Sequence, residues 1–346
     1  MSVSSAAEPT FTLANRKFLG AKTALLDWLF EEFARRASGA LGVFCDPMAG
    51  TGVVAYEAAR RGGTERVVAG DFLLSNVVPL RAFLLPAQDG QVAETIGRLN
   101  RLEPRPGYVA WHFGGSYFSQ ENAARIDAIR QAVEDLADPA LADAALASLL
   151  YAADKAANTV GQFDAYMKNL DGPSVRHGRH LVDASAHKPL LLRTPACEPV
   201  APAEVHLADA IELVARTPCD VLYLDPPYNS RQYVDLYHVL ENIARWEKPR
   251  LSGVTRKFPR AHLRSRFSSR RHAGEELARL VDTARCRHLF LSYSSEGLLS
   301  HEELTAILGR AGRPEVSERQ YPVFGRGAGR SRRRNVSERL YYVRRG

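Results

Sequence analysis

The strongest pattern in the chain is LGVFCDPMAGTGVVAYEAARRGG, where the apolar residues Val43, Phe44 and Cys45 run into a glycine-rich turn and then into a helical repeat. A short continuous apolar run suits a strand buried on both faces of a parallel sheet. The spacing predicts a helix over residues 53–61, ended by Gly62 and Gly63. A second apolar run, RVVAGD, closes on Asp71, which makes this the start of a doubly wound sheet whose ligands bind beyond the carboxyl ends of the strands. Between about residues 91 and 192 the pattern turns to Ala-rich helices, ENAARIDAIRQAVEDLA and LADAALASLLYAADKAANTVGQFDAYM, followed by the polar, turn-rich NLDGPSVRHGRHLVDASAHKP. Strand-like runs resume with EVHLADA, DVLYLD and HLFLSYS, and ERQYPVFG and VSERLYYVRR are expected to pair as a hairpin around an Arg-rich loop. A sheet begun before residue 75 and resumed after 204 implies an insertion. The expected organisation is an α/β, Rossmann-like sheet split into residues 1–92 and 199–346, with a mainly helical region at 93–198.

Composition changes this picture little. At 346 residues, 45% of them hydrophobic, the chain can bury a sizeable core. The start MSVSSAAEPT lacks the marks of a secretory signal, and no apolar run approaches the roughly 20 residues of a membrane helix, so no membrane association and a cytoplasmic location are expected. Cys45, Cys197, Cys219 and Cys286 show no paired spacing and the histidines form no ligand pattern, so neither a disulfide framework nor a metal site is expected. Charge matters more. Residues 248–271 hold nine Lys or Arg and no acid, and residues 326–334 hold five Arg and no acid, so a net +7 hides two basic segments against a rest near −7. Such concentration suits a surface that meets phosphates.

Two turns carry chemistry. In Asp46-Pro-Met-Ala-Gly-Thr-Gly, Gly50 and Gly52 let backbone approach a ligand, and the helix start behind them favours an anionic group. Asp71, 19 residues past Gly52 at a second strand end, can accept both hydroxyls of a ribose. The absence of a following GK[ST] argues against a triphosphate loop. In VLYLDPPYNSRQY, Asp225 and the Pro226 carbonyl form a cluster of acceptors that suits an amino group offering two hydrogens, and Tyr228 supplies a face for an aromatic ring.

Asp-Pro-Pro-Tyr after a strand, preceded by a DPMAGTG loop, resembles the amino-directed DNA methyltransferases, and the order of motifs resembles their alpha class, the DNA adenine methylases. NRKFLGAK, AADKAANTVGQFDAYMK, LSYSSEG and the terminal NVSERLYYV extend the resemblance over nearly the whole chain. It implies S-adenosylmethionine as cofactor and double-stranded DNA as partner. Lys17, Phe18 and Lys22 would contact the methionine end of the cofactor, Asp46, Gly50 and Gly52 its amino and carboxylate groups, Asp71 its ribose, and Asp209 and Ala210 its adenine. Met48 stands where the family often has phenylalanine, and Ala210 where it often has an aromatic residue. The catalytic set would be Asp225, Pro226 and Tyr228, receiving a base flipped out of the duplex. Arg231, Tyr233 and Tyr237 come soon after that motif and would line the pocket for that base or hold the displaced strand; Arg231 and Tyr233 are assigned to DNA. Phosphate contacts would come from Arg264, Arg266, Arg270, Arg271, Arg332, Arg333 and Arg334.

The expected reaction is methylation of adenine N6. Methylation of cytosine N4 is the nearest alternative, and a catalytically silent DNA-binding or specificity subunit the alternative of another class. A cognate restriction endonuclease is a further expected partner, while the recognition sequence and oligomeric state are not readable.

Overall fold

The protein is described by a computed structural model covering residues 9–16, 18–37, 41–167, 170, 184–324 and 333–345. Its sheet has seven strands: β1 (Gly42–Asp46), β2 (Thr64–Asp71), β3 (Ala203–Leu207), β4 (Cys219–Leu224), β5 (Cys286–Ser294), β6 (Glu315–Phe324) and β7 (Arg333–Arg344). They lie in the order β3-β2-β1-β4-β5-β7-β6. The first five are mutually parallel, and β7 runs antiparallel to both β5 and β6. This is a Rossmann-like sheet, and the expected terminal hairpin forms its edge.

Side chains alternate across the strands, as the two-residue period requires. Phe44, Val221, Tyr223 and Phe290 point into one apolar cluster, and Cys45, Leu222, Leu224 and Leu289 into another on the opposite face. The first face is covered by α1 (Leu26–Arg36), α2 (Val53–Arg60) and α3 (Leu74–Leu84). The insertion adds α4 (Asp89–Asn100), α5 (Tyr108–Phe113), α6 (Gln120–Glu134) and α7 (Pro139–Ala156) to that same face. The second face is covered by α8 (Ala210–Arg216), α11 (Ala273–Thr283) and α12 (His301–Leu308), while α9 (Tyr233–Leu236) and α10 (His238–Arg245) return to the first. The inserted helices therefore share one continuous core with the sheet. Their alanines, abundant in α7, bring backbones close without loss of helix propensity. Among the described residues no helix is long and apolar enough to cross a membrane.

Buried charges hold helix starts in place. Asp127 accepts from the N–H groups of Gly107, Val109 and Ala110 at the start of α5 (2.9, 2.8 and 2.8 Å). Glu241, fully buried on α10, accepts from Leu74 and Ser75 at the start of α3 (3.1 and 2.9 Å) and from Arg245 (2.7 Å). Those N–H groups have no partner within their own helix, and the carboxylate also meets the positive end of the helix dipole. Replacing Glu241→Ala leaves them orphaned along with Arg245. It is expected to cost roughly 3 kcal/mol, read as a lower urea midpoint at unchanged m-value.

Candidate active site

Parallel strands bring their carboxyl ends to one edge, and here four of them meet. β1 ends at Asp46, β2 at Asp71, β3 just before Ala208 and Asp209, and β4 just before Asp225. Together with the segments at residues 18–22 and 262–267 they line a cavity of about 330 Å³.

The loop after β1 can form only with glycine at two positions. Gly50 has φ +54° and a Cβ there would lie 3.2 Å from the Phe18 ring, while Gly52 has φ +84° and a Cβ would lie 2.5 Å from Leu80. Gly50 and Thr51 line the cavity, whereas Gly52 turns the chain into α2 behind it. The Gly50 N–H donates to Asp71 Oδ2 (3.0 Å) and the Leu73 N–H to Oδ1 (2.9 Å). These bonds fix the Asp71 carboxyl at the cavity wall. Burial pushes its pKa up to about 6, against the pull of its donors Leu73, Asn76 and Gly50. Asp46 is 1% exposed, and its Oδ1 has no hydrogen-bond partner. Burial, then the charge of Asp225, holds its carboxyl well above the usual range.

A segment ahead of the sheet braces this edge. Phe18 stacks on Tyr237 (centroids 4.8 Å apart) and Tyr233 (5.1 Å). The Leu19 N–H donates to the Tyr237 hydroxyl (2.8 Å), and the Tyr233 hydroxyl donates to the Leu19 carbonyl (3.1 Å). Arg16 donates to the Ser75 carbonyl and Asn76 Oδ1 at the start of α3 (3.2 and 3.1 Å). The segment ends at Lys22, 4% exposed, whose ammonium donates to Asp225 Oδ1 and Oδ2 (2.7 and 2.8 Å) and the Gly20 carbonyl (3.1 Å). On its other side, 3.5 Å away, is Glu338 of β7, 1% exposed and accepting from Ser292 Oγ (2.6 Å). Burial works against the ammonium, yet the two carboxylates outweigh it and hold Lys22 well above its usual pKa. One cation cannot compensate two anions. Burial raises Asp225 to about 6, with Lys22 opposing and Glu338 adding to the rise. The Asp225 side chain remains 21% exposed and lines the cavity, so it can still accept a ligand's hydrogen.

Phe18, Lys22, Asp46, Met48, Gly50, Asp71, Asp209, Ala210, Asp225 and Tyr228 thus share one cavity. Asp209 is at once the N-cap of α8, accepting from Ile211 and Glu212 (2.8 and 3.4 Å). Pro226 is buried and lines a second, small void with Phe267, Tyr293 and Leu299. Tyr233 faces the cavity and braces Leu19. Arg231 reaches Gln162 of the insertion (2.8 Å).

For residues 248–271, neighbouring helices supply the acids that the segment lacks. Asp235 of α9 is surrounded by Lys257, Arg260 and Arg264, Arg266 pairs with Glu275 and Glu276, and Arg270 pairs with Glu303 (2.7 Å). Arg271 has no ion pair among the described residues. Lys17 and Arg332 lie outside the described residues, as do the side chains of Arg333 and Arg334. Sequence reasoning did not find Arg16 or Glu338. For Glu338 a signal existed: it occupies the same register on β7 as the buried Leu340 and Tyr342, where an acid is out of place.

Residues 18–307 match the family described as D12 class N6 adenine-specific DNA methyltransferase. The chain is 34% identical over 322 residues to the Type II methyltransferase M.NlaIII of Neisseria lactamica, covering 89% of this chain and 92% of that protein. It is 30% identical over 318 residues to M.CviAII of Paramecium bursaria Chlorella virus 1, with the same coverage. It is also 30% identical over 323 residues to M.FokI of Planomicrobium okeanokoites, covering 87% of this chain and 48% of that longer protein.

Lys22→Met should show what the ion pair contributes. It leaves two buried carboxylates with no cation and is expected to cost about 3–5 kcal/mol at pH 8. The abandoned carboxyls would hold protons more tightly in the folded than in the unfolded state, so their stabilising contribution is present at low pH and lost as pH rises. The deficit against wild type should therefore shrink at pH 5, measured by urea unfolding at both pH values.

Proposed function

The chain belongs to the D12 class N6 adenine-specific DNA methyltransferase family, and from that premise we propose that its cavity receives S-adenosylmethionine beside an adenine turned out of the duplex. The family reaction, methyl transfer to adenine N6 in DNA, selects adenine over cytosine and an enzyme over a silent subunit. The observation that carries the residue assignment is Asp225, held at the end of β4 in the same cavity as the Asp46–Asp71 wall.

The residues fit the cofactor. Asp46 offers a buried, unpartnered oxygen for an ammonium group, the Gly50 turn is open to close backbone approach, and Asp71 and Asp209 can accept from ribose and adenine. Phe18 lies beside the Gly50 turn, and Met48 and Ala210 would be the apolar sides of the adenine end. When bound, the cofactor supplies an activated methyl group, so the protein's task is the nucleophile. An exocyclic amine delocalises its lone pair into the ring and attacks poorly. In our reading Asp225 and the Pro226 carbonyl accept its two hydrogens, favour a pyramidal nitrogen and stabilise the positive charge that develops there. Tyr228 stacks on the base, whose extrusion costs a few kcal/mol.

DNA would lie across the inserted region and the basic segment, with residues 93–198 as target recognition region between two catalytic parts. Arg271 is the readiest phosphate contact. Arg264, Arg266 and Arg270 are each more than half exposed and can exchange a carboxylate for a phosphate, so part of the binding energy is spent on breaking ion pairs. The relatives named as Type II methyltransferases support a modification role beside a cognate endonuclease, a role that fits a protein working in the cytoplasm with the DNA.

Incubation with S-adenosylmethionine and mixed-sequence duplexes, followed by digestion and mass spectrometry, should yield N6-methyladenine; N4-methylcytosine alone would refute the reading. Asp225→Asn should lower turnover by about 10³-fold or more while DNA affinity, read by fluorescence anisotropy, stays within about twofold. With both substrates saturating, kcat should rise with pH through about 6 and then level, because the protonated Asp225 carboxyl cannot serve as the anionic acceptor. A flat profile between pH 5 and 8 would count against Asp225 as acceptor.

A further inference from the structure

A buried lysine that grips both oxygens of the proposed catalytic aspartate raises a difficulty. The reaction develops positive charge on the amino nitrogen, and an ammonium 2.7 Å from the acceptor would by itself cancel the field meant to stabilise that charge. The terminal strand supplies the answer. Glu338 lies 3.5 Å from Lys22, is 1% exposed, and is fixed by the Ser292 hydroxyl at 2.6 Å.

We propose that Glu338 is a positioning residue for methyl transfer: by sharing the Lys22 ammonium, it holds that ammonium in place and leaves Asp225 a net negative acceptor for the target amine. The assignment rests on the reading of Asp225 as that acceptor. Lys22, Asp225 and Glu338 together carry one negative charge, whereas Lys22 and Asp225 alone would carry none. The other groups facing Asp225 do not supply this charge. Asp46, from β1, is itself held well above its usual carboxylate range by burial and by Asp225, and Tyr223 and Tyr233, from β4 and α9, have hydroxyls pushed up by burial. Glu338 is in addition the contribution of the antiparallel hairpin to the site. β7 inserts between β5 and β6, and its register sets Glu338 opposite Ser294 on β5, one pleat from Ser292. The hairpin thereby becomes part of the catalytic edge.

The test compares Glu338→Gln and Glu338→Asp with wild type, using the full chain. Gln keeps an oxygen for Ser292 and removes the charge; Asp keeps the charge and withdraws it by one methylene. The Asp225 carboxyl is followed in ligand-free protein by carbon NMR with labelled aspartate, its signal assigned by Asp225→Asn, and kcat is measured across pH with both substrates saturating. Removing a neighbouring like charge should lower the Asp225 titration midpoint by about one pH unit in Glu338→Gln and by a smaller step in Glu338→Asp. The acid limb of kcat should move the same way, and its plateau should fall by about 10- to 100-fold in Glu338→Gln, the usual effect of losing an outer partner. Affinity for S-adenosylmethionine and DNA should be unchanged. If Glu338→Gln does not fold, the partial shift in Glu338→Asp decides. An unmoved midpoint in a folded variant, or a wild-type plateau, overturns the inference. An active Asp225→Asn would instead overturn the reading beneath it, so the two failures are told apart.

Discussion

One ammonium between two carboxylates, with Lys22 and Glu338 buried and Asp225 at the cavity wall, is the constraint on which the active edge depends. Lys22 comes from the segment ahead of the sheet, Asp225 from the end of a central strand and Glu338 from the terminal hairpin, so parts of the chain more than 300 residues apart must meet within 3.5 Å. Three buried charges of this kind contribute little net stability, because desolvation offsets most of the attraction. What they contribute is uniqueness. An arrangement that omits Lys22 leaves both carboxylates without their cation.

The rest of the edge is organised around that meeting point. Phe18, Tyr233 and Tyr237 stack so that the backbone of Leu19 is held by two phenolic hydroxyls, which sets the approach of Lys22 to Asp225. Arg16 ties the same segment to the start of α3, and that start is held from beneath by Glu241. Asp71 is fixed by N–H groups on either side of it and closes the wall. The side chains at the edge are thus placed before any ligand arrives, which limits the reorganisation left to the reaction step. The basic segment is tied down in the same manner. Its arginines lie on acids of α9, α11 and α12, a resting arrangement that a phosphate backbone can replace.

Much of this was legible along the chain. The strand, turn and helix at residues 42–60, the closing of the second strand on Asp71, the helical insertion and the terminal hairpin all formed where the pattern places them. Each depends on local periodicity and turn chemistry, which the folded state keeps. The glycine turn and Asp225 also stand where expected, because a residue that leaves a short strand has its position set by that strand. Less was legible where partners are distant in sequence. Residues 248–271 contain no acid, so nothing within the segment foretold Asp235, Glu276 or Glu303 as its counterions. Nor could the order of residues foretell that the Tyr233 hydroxyl donates to the carbonyl of Leu19, more than 200 positions away.

The sequence by itself determined the class of fold, the family and many of the polar side chains that face the cavity, because apolar period, glycine turns and strand-end motifs are properties of neighbouring residues. Only the tertiary structure decided which charges are compensated and by what. An ion pair depends on distance and on the exclusion of water, and neither is defined until the N-terminal segment, the central strand and the terminal hairpin pack against one another. Lys22 lines the cavity, and in the fold it is also the counterion of Asp225, shared with a glutamate from the last strand.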